Sequence, residues 1–321
     1  MNRFLSYVLS VRGLVSLAII ATACTLSAKF SEHHEQENVF TELYMHLIPA
    51  ALVTHEAGPE MATHALVEIP LPGFLSAMDY RGETESAEPK TTIFNLQIFQ
   101  IAAVLLVFVA FSGVPSYLRT GKGDALTRLL AGFCMYVRDE MVYPEMGREM
   151  GRKFLPYFLS VFFFILFMNL MGLVPYSATA TASIFVTGAL ALTTFLAMLG
   201  CGMAVQGVVP FWKNLVPHVP ALLWPLMFLV ELIGLLVKPC ALMIRMFANL
   251  TGGHMVVLSF MGLIFFMAGN FGSTYGWLSS PLGAGFAVFI MIIESFVALV
   301  QAYIFTQLSI IFVNASVHPE H

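Results

Sequence analysis

Between Leu223 and Met267 the chain is almost unbroken apolar sequence. As one α-helix this stretch would run roughly 68 Å at 1.5 Å per residue. That is more than twice the roughly 30 Å hydrocarbon core of a bilayer. Two solutions are open: a hairpin of two spans turning near Asn249-Leu250-Thr251-Gly252-Gly253, or one long helix strongly tilted in the membrane. The last apolar segment, Leu282 to Val313, would reach roughly 48 Å as a helix, so it too must tilt or protrude. Only 11% of the chain is charged, against 58% hydrophobic. Ordinary soluble domains carry about 25% charged residues. The expected fold class is therefore an all-α polytopic membrane protein rather than a soluble domain with an anchor.

The charges inside the apolar half are few enough to name. Between Phe154 and Val317 the Asp, Glu, Lys and Arg residues are Lys213, Glu231, Lys238, Arg245 and Glu294. Arg245 is the one that demands a reason. A guanidinium in hydrocarbon costs from roughly 3 to over 10 kcal/mol, and it cannot shed its proton to escape that cost. A loop position between two spans would avoid the cost. If the stretch is a single helix, 100° per residue places Glu231 and Lys238 within about 40° of Arg245's direction, with Asn249 one turn further on. His254, nine residues after Arg245, points to the opposite side. Glu294 and Gln301 are seven apart and share a face of the last helix. Glu231 and Lys238 allow two readings, a mutual ion pair or a share in a polar path.

The rest of the chain sorts by segment. Residues 1–29 read as a signal peptide or signal anchor: Arg3 and Arg12 precede the apolar run Gly13 to Cys24, and Leu26-Ser27-Ala28 resembles a cleavage site. Residues 30–95 form an acidic segment with eleven Asp and Glu against Arg81 and Lys90. Its histidines (His33, His34, His46, His55, His64) fit no ligand spacing, so an extramembrane segment is expected rather than a metal site. Residues 96–321 form the membrane domain. About five transmembrane helices are expected, from Leu96–Val114, Phe154–Val174, Ala180–Met203, the long stretch and the last segment. Residues 119–153 carry seven Lys and Arg, which puts that segment inside and the acidic segment outside. By parity, residues 207–222 and the C-terminus lie inside as well. Leu126, Leu129, Leu130, Phe133, Val137 and Met141 recur at helical spacing and suggest an interfacial amphipathic helix, or one packed on protein. Thr181, Ser183, Thr187, Thr193 and Thr194 suit close helix packing, or a narrow aqueous inlet. The four cysteines form no CxxC and no Cys/His cluster. No cofactor, no metal and no nucleic-acid partner are expected.

Three blocks then carry a resemblance. Lys238-Pro239-Cys240-Ala241-Leu242-Met243-Ile244-Arg245-Met246-Phe247-Ala248-Asn249-Leu250-Thr251-Gly252-Gly253-His254 closely resembles the signature of subunit a of F-type ATP synthases. Gly151-Arg152-Lys153-Phe154-Leu155-Pro156 leads into Asn169-Leu170-Met171-Gly172-Leu173-Val174-Pro175, and Val300-Gln301-Ala302-Tyr303-Ile304-Phe305 lies in the final helix. Order and spacing match the family from about residue 120 to the C-terminus. The first 95 residues are not covered.

The resemblance implies that the last two long helices form a tilted hairpin against a ring of c subunits, which favours one helix over two spans for 223–267. It implies a stator that carries protons, or sodium ions in some members, to and from the ring carboxylates through two offset half-channels. The partners implied are the c-ring, the subunit b stator, the other ATP synthase subunits and the lipid bilayer. The chain would be no enzyme by itself. The signal-like start favours a bacterial inner membrane over a mitochondrial one. By motif position Arg245 is the essential cation. It would stabilise a bare ring carboxylate by about 4 kcal/mol at 4 Å and an effective dielectric of 20, and block direct passage between the two access paths. Asn249 and Gln301 match polar family positions beside it, and Glu231 is placed on the proton path. His254 and Glu294 carry an imidazole and a carboxyl in the order of mitochondrial-type members, reversed from some bacterial ones. The family's acidic residue near the end of the second span has no match, because Gly172 stands there. The alternative is a stand-alone channel or secondary transporter. Internal repeats would support it, and the sequence has none. An intramembrane enzyme lacks its parts, with no HExxH.

Overall fold

In a computed structural model of the chain, the described residues are 11–30, 53–55, 63–65, 68–70, 90–92, 95–121, 123–174, 179–215, 220 and 223–317. Most of the acidic segment, Lys122, the tip of the 207–222 loop and both chain ends lie outside them. Six helices among the described residues are long and apolar enough to cross a membrane, one more than the expected five because the N-terminal segment is itself such a helix.

Helix α1 spans Val11–Phe30, and the expected cleavage triplet Leu26-Ser27-Ala28 lies within it. Helix α2 spans Asn95–Phe111. Ala23 of α1 joins Leu96, Phe99, Ala103 and Leu106 of α2 in a small apolar core. At the N-terminal end of α1 Arg12 Nη2 donates to Asp124 Oδ2 at 2.9 Å and Nη1 to Thr127 Oγ1 at 3.2 Å. A Cβ at Gly113 would collide with that guanidinium, so the glycine keeps its seat open. Within the acidic segment β1 (Val53–His55) pairs with β2 (Thr63–Ala65), and β3 (Glu68–Pro70) pairs with β4 (Lys90–Thr92), both antiparallel.

The first span ends as a helix at Phe111, and Pro115 follows it. The proline sits in the first turn of a short helix α3, Val114–Thr120. Proline is tolerated there because its missing N–H would have no intrahelical partner anyway. The amphipathic stripe becomes helix α4, Ala125–Tyr136, with Leu130 buried and Leu129 turned outward. The chain then runs through a π-helical turn, Val137–Val142, into helix α5, Tyr143–Gly172. Val137, Met141 and Val142 are fully buried, so this end of the stripe packs on protein. Gly147, at φ 72°, supplies the kink inside α5, a backbone conformation that costs glycine little.

A 3₁₀ turn, Ala180–Ala182, precedes helix α6, Ile184–Gln206, and the short helix α7, Val208–Asn214. Helix α8 spans Trp224–Phe271 and helix α9 Ser273–Val317. Only Gly272, at φ 98°, separates them. The long stretch is thus one helix, not two spans. At 1.5 Å per residue α8 is roughly 72 Å long, so it must tilt or protrude from a bilayer. Gly252 and Gly253 do not break it, because an opened backbone in hydrocarbon would leave polar groups unpaired. The main core joins α5, α6, α8 and α9 through Phe158, Ile165, Met198, Leu242, Met246 and Ile310.

Candidate functional site

The buried face of α8 runs through Leu235, Pro239, Leu242, Met246 and Leu250. Their spacing of three or four residues is one stripe of a helix. Arg245 and His254 fall on opposite flanks of that stripe, as a nine-residue separation requires.

On the first flank Arg245 and Asn249 are exposed, while Glu231 and Lys238 are half-buried. Arg245 has no hydrogen bond or ion pair to any described residue. Its neighbours Ile244 and Val237 are also exposed, at 56% and 55%, so a guanidinium stands on an open apolar face. The ion pair considered for Glu231 and Lys238 is not formed. Two helical turns separate them by roughly 10.5 Å along the axis, and Lys238 Nζ lies instead over the Phe312 ring at 5.8 Å from its centre. Asn249 Nδ2 donates to Gln301 Oε1 at 3.1 Å. Gln301 is fully buried, so α9 holds the outward-facing amide from behind.

On the second flank His254 Nε2 is 2.7 Å from Thr179 Oγ1 and 3.4 Å from Glu294 Oε1. Glu294 is 4% exposed. Neither of its carboxyl oxygens makes a hydrogen bond to a described residue; His254 Nε2 approaches Oε1 only at ion-pair distance. A Cβ at Gly253 would sit 2.8 Å from Glu294 Oε1. The glycine is therefore what lets the carboxyl reach the imidazole.

Further polar contacts fix this layer. Thr251 Oγ1 donates to the Ala182 carbonyl at 3.2 Å, and Asn169 Nδ2 to the Ala298 carbonyl at 3.3 Å. Asn169 and Thr181 are fully buried, and Asn169 Oδ1 and Thr181 Oγ1 have no hydrogen-bond partner among the described residues. An imidazole and a carboxyl this close, with the Thr179 hydroxyl on the imidazole, have the chemistry to pass a proton between them. Among the described residues no three His, Cys, Asp or Glu side chains converge to hold a metal ion.

The sequence singled out every polar residue on α8 and α9 named above except Thr251. It gave no role to Asn169 and did not single out Thr179. A threonine in a short link before a span carries no periodicity, and only the fold brings it to His254.

A family model described as the ATP synthase A chain matches residues 97–314. The chain belongs to the ATP synthase A chain family. It is 40% identical over 225 residues to "ATP synthase subunit a" of Chloroherpeton thalassium, covering 69% of this chain and 65% of that one. A second subunit a, from Myxococcus xanthus, is 40% identical over 222 residues, covering 69% and 71%. "ATP synthase subunit a 2" of Prosthecochloris aestuarii is 31% identical over 322 residues, covering 99% of this chain and 92% of the relative. The match to the first of these spans somewhat under two thirds of that relative's length. The family model's match contains both flanks of α8 and begins after α1, whereas the alignment to the Prosthecochloris aestuarii protein covers nearly the whole chain.

Proposed function

We propose that this chain is the stator ion-channel subunit of a rotary ATP synthase, with Arg245 facing the carboxylates of a c-ring and the His254–Glu294 pair lining one of two offset half-channels for protons. The observation that carries the reading is the bare guanidinium of Arg245 on an exposed apolar face of α8, with the titratable pair on the other flank. A fixed cation on an otherwise apolar surface is poor design against lipid and good design against a partner that presents an anion. A ring carboxylate that has just lost its proton is such an anion. At 4 Å and an effective dielectric of 20 it gains about 4 kcal/mol from the guanidinium. Protonated, it gains little and can move on into lipid, which ties proton exchange to rotation. Lysine would serve poorly, because burial can neutralise it.

Asn249 and Gln301 keep a polar edge beside the arginine, and Glu231 extends that edge two turns before Lys238. The expected neighbours are the c-ring, subunit b and lipid, in a bacterial inner membrane. The test is Arg245→Ala in the assembled complex. ATP-driven proton pumping should disappear while hydrolysis by the detached soluble sector is unchanged. Normal pumping by the variant would sink the reading.

A further inference from the structure

Position 172, where the resemblance leads one to look for a carboxyl, is a glycine. The space beside it is not empty. A Cβ on Gly172 would lie 2.8 Å from Thr179 Cγ2 and 3.0 Å from Thr179 Oγ1. Thr179 therefore occupies the room that a side chain at 172 would take. Its hydroxyl is also 3.4 Å from the Gly172 carbonyl and 2.7 Å from His254 Nε2. Thr179 is buried, at 8% exposed, and it comes from the link between α5 and α6 rather than from either long helix.

We infer that Thr179 is the positioning residue for His254 on the proton path proposed above, made possible by the missing side chain at Gly172. A hydroxyl is both a donor and an acceptor. With its proton on the Gly172 carbonyl, Thr179 accepts from His254 Nε2–H. When Nε2 carries no proton, the hydroxyl rotates and donates to it. The threonine neither gains nor loses a proton over this cycle. The imidazole is held by the same neighbour in both protonation states, at the place where Glu294 Oε1 stands 3.4 Å away. An acceptor-only carboxylate serves just the protonated ring in this way, and an apolar side chain serves neither state.

The chemistry and the packing of Thr179 predict opposite orders among its variants. Thr179→Val keeps the branched volume and removes the hydroxyl; Thr179→Ser keeps the hydroxyl and removes a methyl. In membrane vesicles holding the full complex, with the soluble sector stripped off, passive proton conductance is measured against the amount of assembled chain. Thr179→Val should conduct about tenfold less, the order expected when a buried nitrogen loses its partner. Thr179→Ser should stay within about twofold of the parent on the same reasoning. Thr179→Ala is compared with Thr179→Ser as well, so the reading survives if valine hinders assembly. Gly172→Ala, which pushes Thr179 off its seat, should lower conductance as Thr179→Val does. Valine conducting normally, or serine conducting as poorly as alanine, overturns the inference. His254→Ala serves as the control. If it conducts normally, the proton-path reading itself has failed. If it is slow while Thr179→Val is normal, only the role of Thr179 has.

Discussion

Arg245 and His254 are nine residues apart on one continuous helix, and their surroundings are opposite. The arginine faces outward with no described residue to pair with. The histidine is tucked between Thr179 and Glu294, with partners from two other elements within 3.4 Å. One half of the site draws its neighbours from within this chain; the other half presents a charge that no described residue meets. The contrast says where the chain ends as a machine. On the proposed reading, proton delivery to the ring is the chain's own chemistry, whereas the step at Arg245 needs a partner's anion.

The sharpest way to break the comparison is at its unpartnered end. Arg245→Ala should give the largest effect of all, complete loss of ATP-driven pumping. Arg245→Lys tests the reason. If a permanent charge is what matters, lysine should restore well under about a tenth of the pumping, because a desolvated ammonium can give up its proton.

The next effects fall on the self-contained end. His254→Ala and Glu294→Ala should each slow passive conductance about tenfold or more, the scale of a positioned proton-transfer group, with assembly intact. The exchange His254→Glu with Glu294→His should conduct better than either half of the exchange alone. A double-mutant cycle should show coupling on the order of 0.5–3 kcal/mol. Additive losses with no recovery would show that the two groups do not act together.

Gly253→Ala should come third. Its Cβ would meet Glu294 Oε1 at 2.8 Å, so the carboxyl must move away from His254, and conductance should drop severalfold. An unaltered rate would mean that the distance to His254 is not critical. Gln301→Leu is milder, since it removes one hydrogen bond to a side chain that can turn to water or to the ring, worth about 1 kcal/mol. A several-fold loss of pumping is expected, read at equal assembly.

The smallest effect should be at Arg12, which sharpens the comparison because this arginine, unlike Arg245, is paired within the chain. Its bridge to Asp124 is about a third to a half exposed. Such pairs contribute about 0–1 kcal/mol. Arg12→Ala should leave pumping unchanged and lower thermal stability of the purified complex only slightly. Loss of pumping in that variant would give the N-terminal helix a role that its position does not suggest.

Much of the site was legible because helices repeat. Once 223–267 is a single helix, the opposed directions of Arg245 and His254 follow from 100° per residue, and so does the shared face of Glu294 and Gln301. The motif blocks then matched those positions to a family. What the pattern could not give was depth along neighbouring helices. It allowed an ion pair for Glu231 and Lys238 because they share a face, although two turns of rise keep them apart. It missed Thr179 because a link residue has no period, and it recorded Gly172 as a missing carboxyl without seeing what filled the space.

The sequence alone determined that the chain spans a membrane, that its charges are sorted by segment, and that a permanent cation, Arg245, lies deep in apolar sequence. Those facts follow from local composition and helical period, which need no partner. The tertiary structure decided that the long stretch does not turn back, since α9 packs alongside it and every backbone group stays paired only in a continuous helix. It also decided that His254 meets Glu294 and Thr179 in one layer while Arg245 pairs with no described residue. Which side chains touch depends on how three helices and a short link are set against one another, and no single segment carries that information.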